Sequence, residues 1–165
     1  FALFDAEKKH RKIIEERAHK AQCSNIILIE SDYEKSLDQL QEQLCGRKIG
    51  VFFIDGPHDY RSQFMCLMLF KEFLSENAVV FVDDSNYSHV RQANSDFLKT
   101  NKDCTLIYEK YTHKHPNNMN NEEIAAARDG WWNGINIIFY CATICLNVIL
   151  HCPCVPKYPT IWSGY

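Results

Sequence analysis

Short apolar runs that end on acidic side chains alternate along the chain with segments of helical periodicity. The run IGVFFID ends at Asp55, and the run AVVFVDD ends at Asp83 and Asp84. Neither run shows the apolar–polar alternation of a half-solvated strand, so both are predicted to be buried strands of a parallel sheet. Residues 60–74 between them carry apolar positions at helical spacing. The pattern therefore predicts a right-handed β-α-β unit.

The same alternation continues on both sides of this unit. Further strands are predicted at residues 1–4, 25–29, 104–108 and 135–140, with helices after the first, the second and the acidic pair. Strands and helices that alternate in this way predict an α/β fold, with a Rossmann-like, mostly parallel sheet flanked by helices. No helix is predicted between the last two strands, which favours an antiparallel hairpin at the sheet edge.

Asp55, Asp83 and Asp84 are expected to meet at the carboxyl edge of the sheet, where open α/β folds bind ligands. Carboxylates that converge there repel one another, and each would be costly to bury unpaired. A hard divalent cation such as Mg²⁺ relieves this repulsion, because it prefers oxygen ligands. The alternative for any single Asp is that it caps a helix or accepts hydrogen bonds from loop amides.

Composition restricts the class of protein. With 165 residues and 46% hydrophobic content, the chain can bury one core and no more than one full domain. A formal net charge of −3 argues against a general nucleic-acid binder. The only candidate membrane span, residues 134–150, is short and interrupted by asparagines, and its first half is predicted to be a strand.

The cysteines indicate the cellular compartment, and the ends of the chain indicate the extent of the domain. Cys23, Cys45, Cys66 and Cys104 occur singly among predicted strands and helices, as free thiols do in a reducing compartment, so a cytoplasmic location is expected. The first residues already lie within an apolar run, and we expect the chain to be a piece of a longer protein. Residues 1–142 are predicted to form a partial α/β domain, and residues 143–165 a Cys-rich tail of unknown role.

Three motifs carry a resemblance to a known family. FIDGPHDY, VVFVDD and SDYEKSL resemble the strand-four, strand-five and strand-three motifs of class I S-adenosylmethionine-dependent methyltransferases. More narrowly, they resemble the subgroup that includes macrocin-type sugar O-methyltransferases and cephalosporin hydroxylase-like proteins. The resemblance extends from about Phe1 to Tyr140. It lacks the first strand of that fold and the glycine-rich cofactor loop that follows it.

The resemblance implies a partial site for S-adenosylmethionine. Asp32, with Ser31 beside it, would lie against the adenine. Asp5 or Glu7, close to the end of the first predicted strand, would accept hydrogen bonds from the ribose hydroxyls, and Asp5 is the better placed of the two. Asp55 would contribute to the same cofactor site.

The resemblance also implies a catalytic centre. Asp55, Asp83 and Asp84 would hold a divalent cation, Mg²⁺ or a similar hard ion, beside the acceptor hydroxyl. His58, three residues after Asp55, would take the proton from that hydroxyl while the methyl group leaves sulfur. An equally simple interpretation is that His58 pins the loop by bonding to the backbone.

The predicted function is therefore an S-adenosylmethionine-dependent, metal-assisted O-methyltransferase that acts on a small hydroxylated acceptor, for example a sugar. Acceptor choice is expected to lie in residues 112–134, an Asn-rich loop. Two alternatives remain open, a non-catalytic binding module of the same fold and a cephalosporin hydroxylase-like protein. The sequence leaves open whether the chain forms a homo-oligomer.

Overall fold

A computed structural model describes residues 2–4, 8–25, 27–29, 34–114, 116–128 and 132–143. The strands are β1 (Ala2–Phe4), β2 (Ile27–Ile29), β3 (Ile49–Ile54), β4 (Leu74–Asp83), β5 (Cys104–Lys110) and β6 (Ile135–Cys141). The helices are α1 (Lys8–Lys20), α2 (Leu37–Leu44), α3 (Tyr60–Phe70), α4 (Ser88–Thr100) and α5 (Asn121–Arg128). None of the helices among these residues has the length and hydropathy needed to cross a membrane.

The larger sheet has the strand order β3-β4-β6-β5. β3 and β4 are parallel, with Ile54 opposite Val82, which confirms the predicted β-α-β pairing. β6 runs antiparallel to both of its neighbours, so the predicted hairpin is present, with β5 as the outermost strand. β4 and β5 consequently run in the same direction, and their carboxyl ends lie at the same edge of the sheet.

β1 and β2 form a separate, parallel two-stranded sheet. Within the described part of the chain, β3 pairs only with β4, so its other edge has no hydrogen-bonded neighbour.

The core lies between the larger sheet and the helices α3 and α4. Phe70 of α3 is 1% exposed and stacks on Phe52 of β3, with 4.7 Å between ring centroids. Alternate residues of β3 point to the other face, where Val51 and Phe53 are 66% and 50% exposed, so the prediction of a buried strand is wrong for this face of β3. Since burial of such a side chain contributes roughly 1.5–3 kcal/mol, the covered face supplies most of the stabilisation here.

The predicted polar loop at residues 112–134 contains a helix that the sequence analysis missed. α5 begins after Asn120, whose side-chain oxygen accepts a hydrogen bond from the backbone N–H of Glu123 at 2.9 Å. The Glu123 carboxylate in turn accepts the backbone N–H of Asn120 at 2.9 Å. This reciprocal pair is a capping box, which explains why an Asn-rich segment becomes helical.

Candidate functional site

The site is built on the carboxyl ends of β3 and β4. Because Ile54 lies opposite Val82, the next residues of the two strands, Asp55 and Asp83, leave the sheet side by side. Adjacent strands are about 4.8 Å apart, so the loops that follow these strands must share one small space. The predicted convergence of acidic side chains at this edge therefore has its basis in the strand register.

A cluster of three side chains lies above this edge. Asp55, His58 and Asp84 each offer one potential ligand atom, and these atoms all lie within 4.8 Å of one another. His58 Nε2 contacts Asp84 Oδ2 at 2.6 Å, a length typical of a charge-assisted hydrogen bond. The His58 ring also stacks on Tyr87, with centroids 4.5 Å apart and planes 11° apart. The imidazole is thus held by a carboxylate on one side and an aromatic face on the other.

The Asp83 side chain forms its hydrogen bond with the backbone and not with the cluster. Its Oδ1 accepts the backbone N–H of Asp84 at 2.8 Å, across a chain that turns sharply because Asp84 has a φ of +54°. Burial raises the pKa of Asp83, and the neighbouring charges of Asp84 and Asp55 raise it further. The carboxylate of Asp83 therefore lies next to the cluster, and the negative charge of the cluster acts on it. Its predicted role as a metal ligand stays a prediction.

Two asparagines that the sequence analysis did not single out hold the loop after β4. Asn133 Nδ2 donates to Asp84 Oδ1 at 2.8 Å, and the Asn133 backbone carbonyl accepts the N–H of Asn86 at 2.9 Å. The side chain of Asn86 bonds twice to the backbone of Thr112, at 3.0 Å and 3.1 Å. The Asn-Gly pair at positions 133 and 134 is a turn signal that could have indicated a tight approach here.

A chain of side-chain hydrogen bonds runs beneath the site. Gln63 of α3 donates to Asn94 of α4, which donates to Asn136 of β6, each at 2.9 Å. Asn136 donates to the Tyr111 hydroxyl, and that hydroxyl donates to Glu109, again at 2.9 Å. Burial raises the pKa of Tyr111, which keeps its hydroxyl protonated as a donor. The two helices, the sheet and the segment after β5 are thereby fixed relative to one another.

A cavity of about 370 Å³ opens beside the end of β5. It is lined by the residues Lys110, Tyr111, Thr112, His113, Lys114, Met119, Glu123, Ala126 and Ala127. The ion pair between Lys114 Nζ and Glu123 Oε1, at 2.7 Å, ties the segment after β5 to α5. Because Thr112 is bonded to Asn86, this cavity is connected mechanically to the loop that carries Asp84.

The remaining predicted cofactor residues cannot be placed in this geometry. Asp5, Glu7, Ser31 and Asp32 lie outside the described residues. Asp55 is the member of the predicted cofactor set that the structure describes, and it is exposed at the sheet edge. The cofactor roles of all five residues stay predictions.

The fold and the position of the site together define a class of protein. A parallel sheet with one antiparallel strand inserted before its outermost strand, and polar side chains gathered at its carboxyl edge, is the class I methyltransferase fold. A sequence profile described as a methyltransferase domain matches residues 2–85, about half of the chain. The chain belongs to this methyltransferase-domain family. No curated protein gives a significant match.

Solved structures with the same fold include enzymes of more than one kind. An O-methyltransferase from Bacillus cereus in complex with SAH shares 12% identity at a TM-score of 0.59, covering 84% of this chain and 61% of that one. An O-methyltransferase from Streptomyces achromogenes involved in tomaymycin synthesis, in complex with SAM, shares 12% at 0.60, covering 85% and 61%. An rRNA methylase from Streptococcus thermophilus shares 11% at 0.53, covering 86% and 73%. The chain thus spans about three fifths of the length of the first two structures, and at these identities the likeness shows the fold.

Proposed function

We propose that the chain is part of an S-adenosylmethionine-dependent O-methyltransferase that methylates a hydroxyl group of a small molecule with help from a divalent cation. Family membership supports the methyl transfer, and two structural neighbours are O-methyltransferases with SAH or SAM bound. The observation that carries the proposal is the cluster of Asp55, His58 and Asp84 at the carboxyl edge of the sheet. A sugar acceptor, as in the macrocin-type subgroup, is the specific form that the motifs favour.

The residues of the cluster fit a divalent cation. Asp55 and Asp84 supply carboxylate oxygens, which Mg²⁺ and Mn²⁺ prefer, and Asp83 adds negative charge from the neighbouring position. Asn133, whose Nδ2 donates to Asp84, has a buried side-chain oxygen with no hydrogen-bond partner among the described residues. A bound cation would supply positive charge beside the acceptor hydroxyl and so favour loss of its proton.

We assign the proton transfer to His58. Its hydrogen-bond partner in the described part of the chain is the Asp84 carboxylate and not a backbone group, which favours a role in the site over a role as a loop anchor. S-adenosylmethionine supplies an electrophilic methyl group on a sulfonium sulfur. The acceptor oxygen forms the new O–C bond, the electron pair of the S–C bond stays on sulfur, and the hydroxyl proton passes to His58 Nδ1, because Nε2 donates its own proton to Asp84. Asp84 orients the imidazole and stabilises the imidazolium.

The cofactor is proposed to bind through Asp5 at the ribose and through Ser31 and Asp32 at the adenine, with Asp55 nearby. Asp5→Ala should weaken S-adenosylmethionine binding to the full-length protein by about 1–3 kcal/mol, the usual cost of losing a charged hydrogen-bond partner. Isothermal titration calorimetry measures this directly. If the unmodified full-length protein binds no S-adenosylmethionine, the enzyme proposal fails and a binding module of the same fold is favoured.

The proposed cavity for the acceptor lies beside β5, with the cation site at the neighbouring strand ends. Two strands separate Lys110 from Asp55, and one strand separates it from Asp83, so the cavity begins about 10 Å from the end of β4. An acceptor that spans this distance is the size of a small metabolite.

The domain is proposed to occupy residues 1–142, and residues 143–165 to form a separate tail.

The test compares two histidines. His58→Ala should lower the turnover number roughly 10²–10⁴-fold at every Mg²⁺ concentration, the range for loss of a general base. The control is His89→Ala, which removes an exposed histidine of α4 and should leave turnover unchanged. Radiolabelled methyl transfer from S-adenosylmethionine to a panel of sugars and catechols provides the assay. Unchanged turnover in His58→Ala would assign His58 to the loop and move the base role to Asp55.

Asp83→Asn separates the cation from the base. Removal of this charge should reduce turnover at low Mg²⁺, and added Mg²⁺ should partly restore it, because a weakened site is still filled by mass action. His58→Ala should show no such recovery. If Mg²⁺ and chelator leave the turnover of the unmodified enzyme unchanged, the cation is removed from the proposal while methyl transfer is retained.

A further inference from the structure

Asn133 lies in the turn before β6 and is only 3% exposed. Its Nδ2 donates to Asp84 Oδ1 at 2.8 Å. Its Oδ1 is buried and has no hydrogen-bond partner among the described residues. A buried acceptor without a donor destabilises the folded state. The hydrogen bond from Nδ2 to Asp84 offsets this cost and so fixes the orientation of the amide.

Asp84 is held from two directions as a result. His58 Nε2 contacts Oδ2 at 2.6 Å, and Asn133 Nδ2 contacts Oδ1 at 2.8 Å. The backbone of Asp84 adopts a φ of +54°, a conformation uncommon for a residue other than glycine, which turns the side chain toward these partners. The plane of the carboxylate is therefore set before any ligand arrives.

Asn133 is itself anchored to the segment that it restrains. Its carbonyl accepts the backbone N–H of Asn86 at 2.9 Å, and the next carbonyl, that of Gly134, accepts the N–H of Ser85 at 3.3 Å. Both donors lie within two residues of Asp84. A shift of the turn before β6 must consequently move Asp84 as well.

We propose that Asn133 is a positioning residue of the cation site, which fixes the Asp84 carboxylate through its side-chain N–H and so raises the affinity for a divalent cation. This inference rests on the cation site of the proposed function. Hydrogen-bond partners of ligating carboxylates typically change metal affinity 10–100-fold when they are removed.

The test measures Mn²⁺ binding to the full-length protein by electron paramagnetic resonance, without any acceptor or activity assay. Asn133→Leu keeps the side-chain volume but removes the donor, and it should raise the dissociation constant for Mn²⁺ at least 10-fold. Asn101→Leu is the matched control. Asn101 is also buried, at 8% exposed, but it bonds to Lys71 at the opposite edge of the sheet, so this variant should bind Mn²⁺ as the unmodified protein does.

A second variant keeps the test decisive if Asn133→Leu folds poorly. Asn133→Ala removes the donor with a smaller side chain, which should lower the melting temperature without metal, and Mn²⁺ should raise it by less than in the unmodified protein. A merely structural role for Asn133 would lower the melting temperature without any change in the response to Mn²⁺. Equal Mn²⁺ affinity in Asn133→Leu and the unmodified protein would overturn the inference while leaving the cation site intact. Failure of the unmodified protein to bind Mn²⁺ would overturn both.

Discussion

The backbone at Gly134, in the turn before β6, approaches its neighbours closely, and this makes a sharp mutational prediction. Gly134 has a φ of +83°, which side chains other than hydrogen rarely tolerate. A Cβ at this position would lie 2.8 Å from Asn86 Oδ1, 2.9 Å from Asn86 N and 3.1 Å from the Lys110 carbonyl. Two of these atoms belong to the backbone, so they cannot move aside cheaply. Gly134→Ala should therefore separate the turn before β6 from the loop after β4.

The expected cost has two parts. The left-handed backbone conformation costs roughly 1–2 kcal/mol for a residue with a Cβ. Overpacking against fixed atoms typically adds about 1–3 kcal/mol. The free energy of unfolding should thus fall by about 2–5 kcal/mol, and for a chain of this size each kcal/mol lowers the melting temperature by roughly 2–4 °C. A fall of about 10 °C is the central expectation.

Gly46→Ala supplies the matched control for this experiment. Gly46 has almost the same φ, +79°, but a Cβ there would meet nothing within 4 Å. This variant should lose only the conformational part, about 1–2 kcal/mol, and should melt roughly 4 °C lower than the unmodified protein. Differential scanning calorimetry of both variants isolates the contribution of the close approach. Equal melting temperatures for Gly134→Ala and Gly46→Ala would refute the claim that the approach at Gly134 is tight.

Two further predictions follow from burial and charge. Burial raises the folded-state pKa of Asp83 above its ordinary 3.8, so the protonated carboxyl stabilises the folded state at low pH, and this stabilisation is lost as the pH rises through the raised pKa. Asp83→Asn should therefore increase the melting temperature at pH 7 in chelator. This gain should vanish below about pH 3.8. Burial raises the pKa of the Cys66 and Cys104 thiols to about 12, so iodoacetamide at pH 8 should label the exposed Cys23 and Cys45 in the native protein and leave the two buried thiols unlabelled until unfolding. Calorimetry across pH checks the first prediction and peptide mass spectrometry the second; labelling of Cys66 at the rate of Cys23 would contradict the second.

The success of the sequence analysis at the sheet edge has a simple cause. The runs before Asp55 and Asp83 are apolar at consecutive positions, a local property that predicts strands of a parallel sheet, and β3 and β4 are parallel although one face of β3 is exposed. Once two such strands are neighbours, the residues after them meet at one edge. The acidic residues could therefore be brought together from the sequence, and the geometry of Asp55 and Asp84 agrees with that prediction.

α5 shows where local patterns were read incompletely. The Asn-rich composition of residues 112–134 favours a loop, but Asn120 and Glu123 have the spacing of a capping box, which begins a helix. The signal was present in the sequence. The loop prediction relied on the composition of the segment. Composition is an average over many residues and contains no information about a reciprocal pair of hydrogen bonds between two of them.

The amino-acid sequence by itself determined the order of the strands and of the helices α1 to α4, and the set of carboxylates at the carboxyl edge, because periodicity and strand ends are local features. The tertiary structure decided which of these groups face one another. Asp84 turns toward His58 while Asp83 turns back to the backbone, and this division depends on a left-handed φ and on a bond from Asn133, 49 residues further along the chain. Such a contact forms only when β6 is inserted beside β4. No pattern within either segment specifies it, since its energy comes from packing between segments distant in sequence.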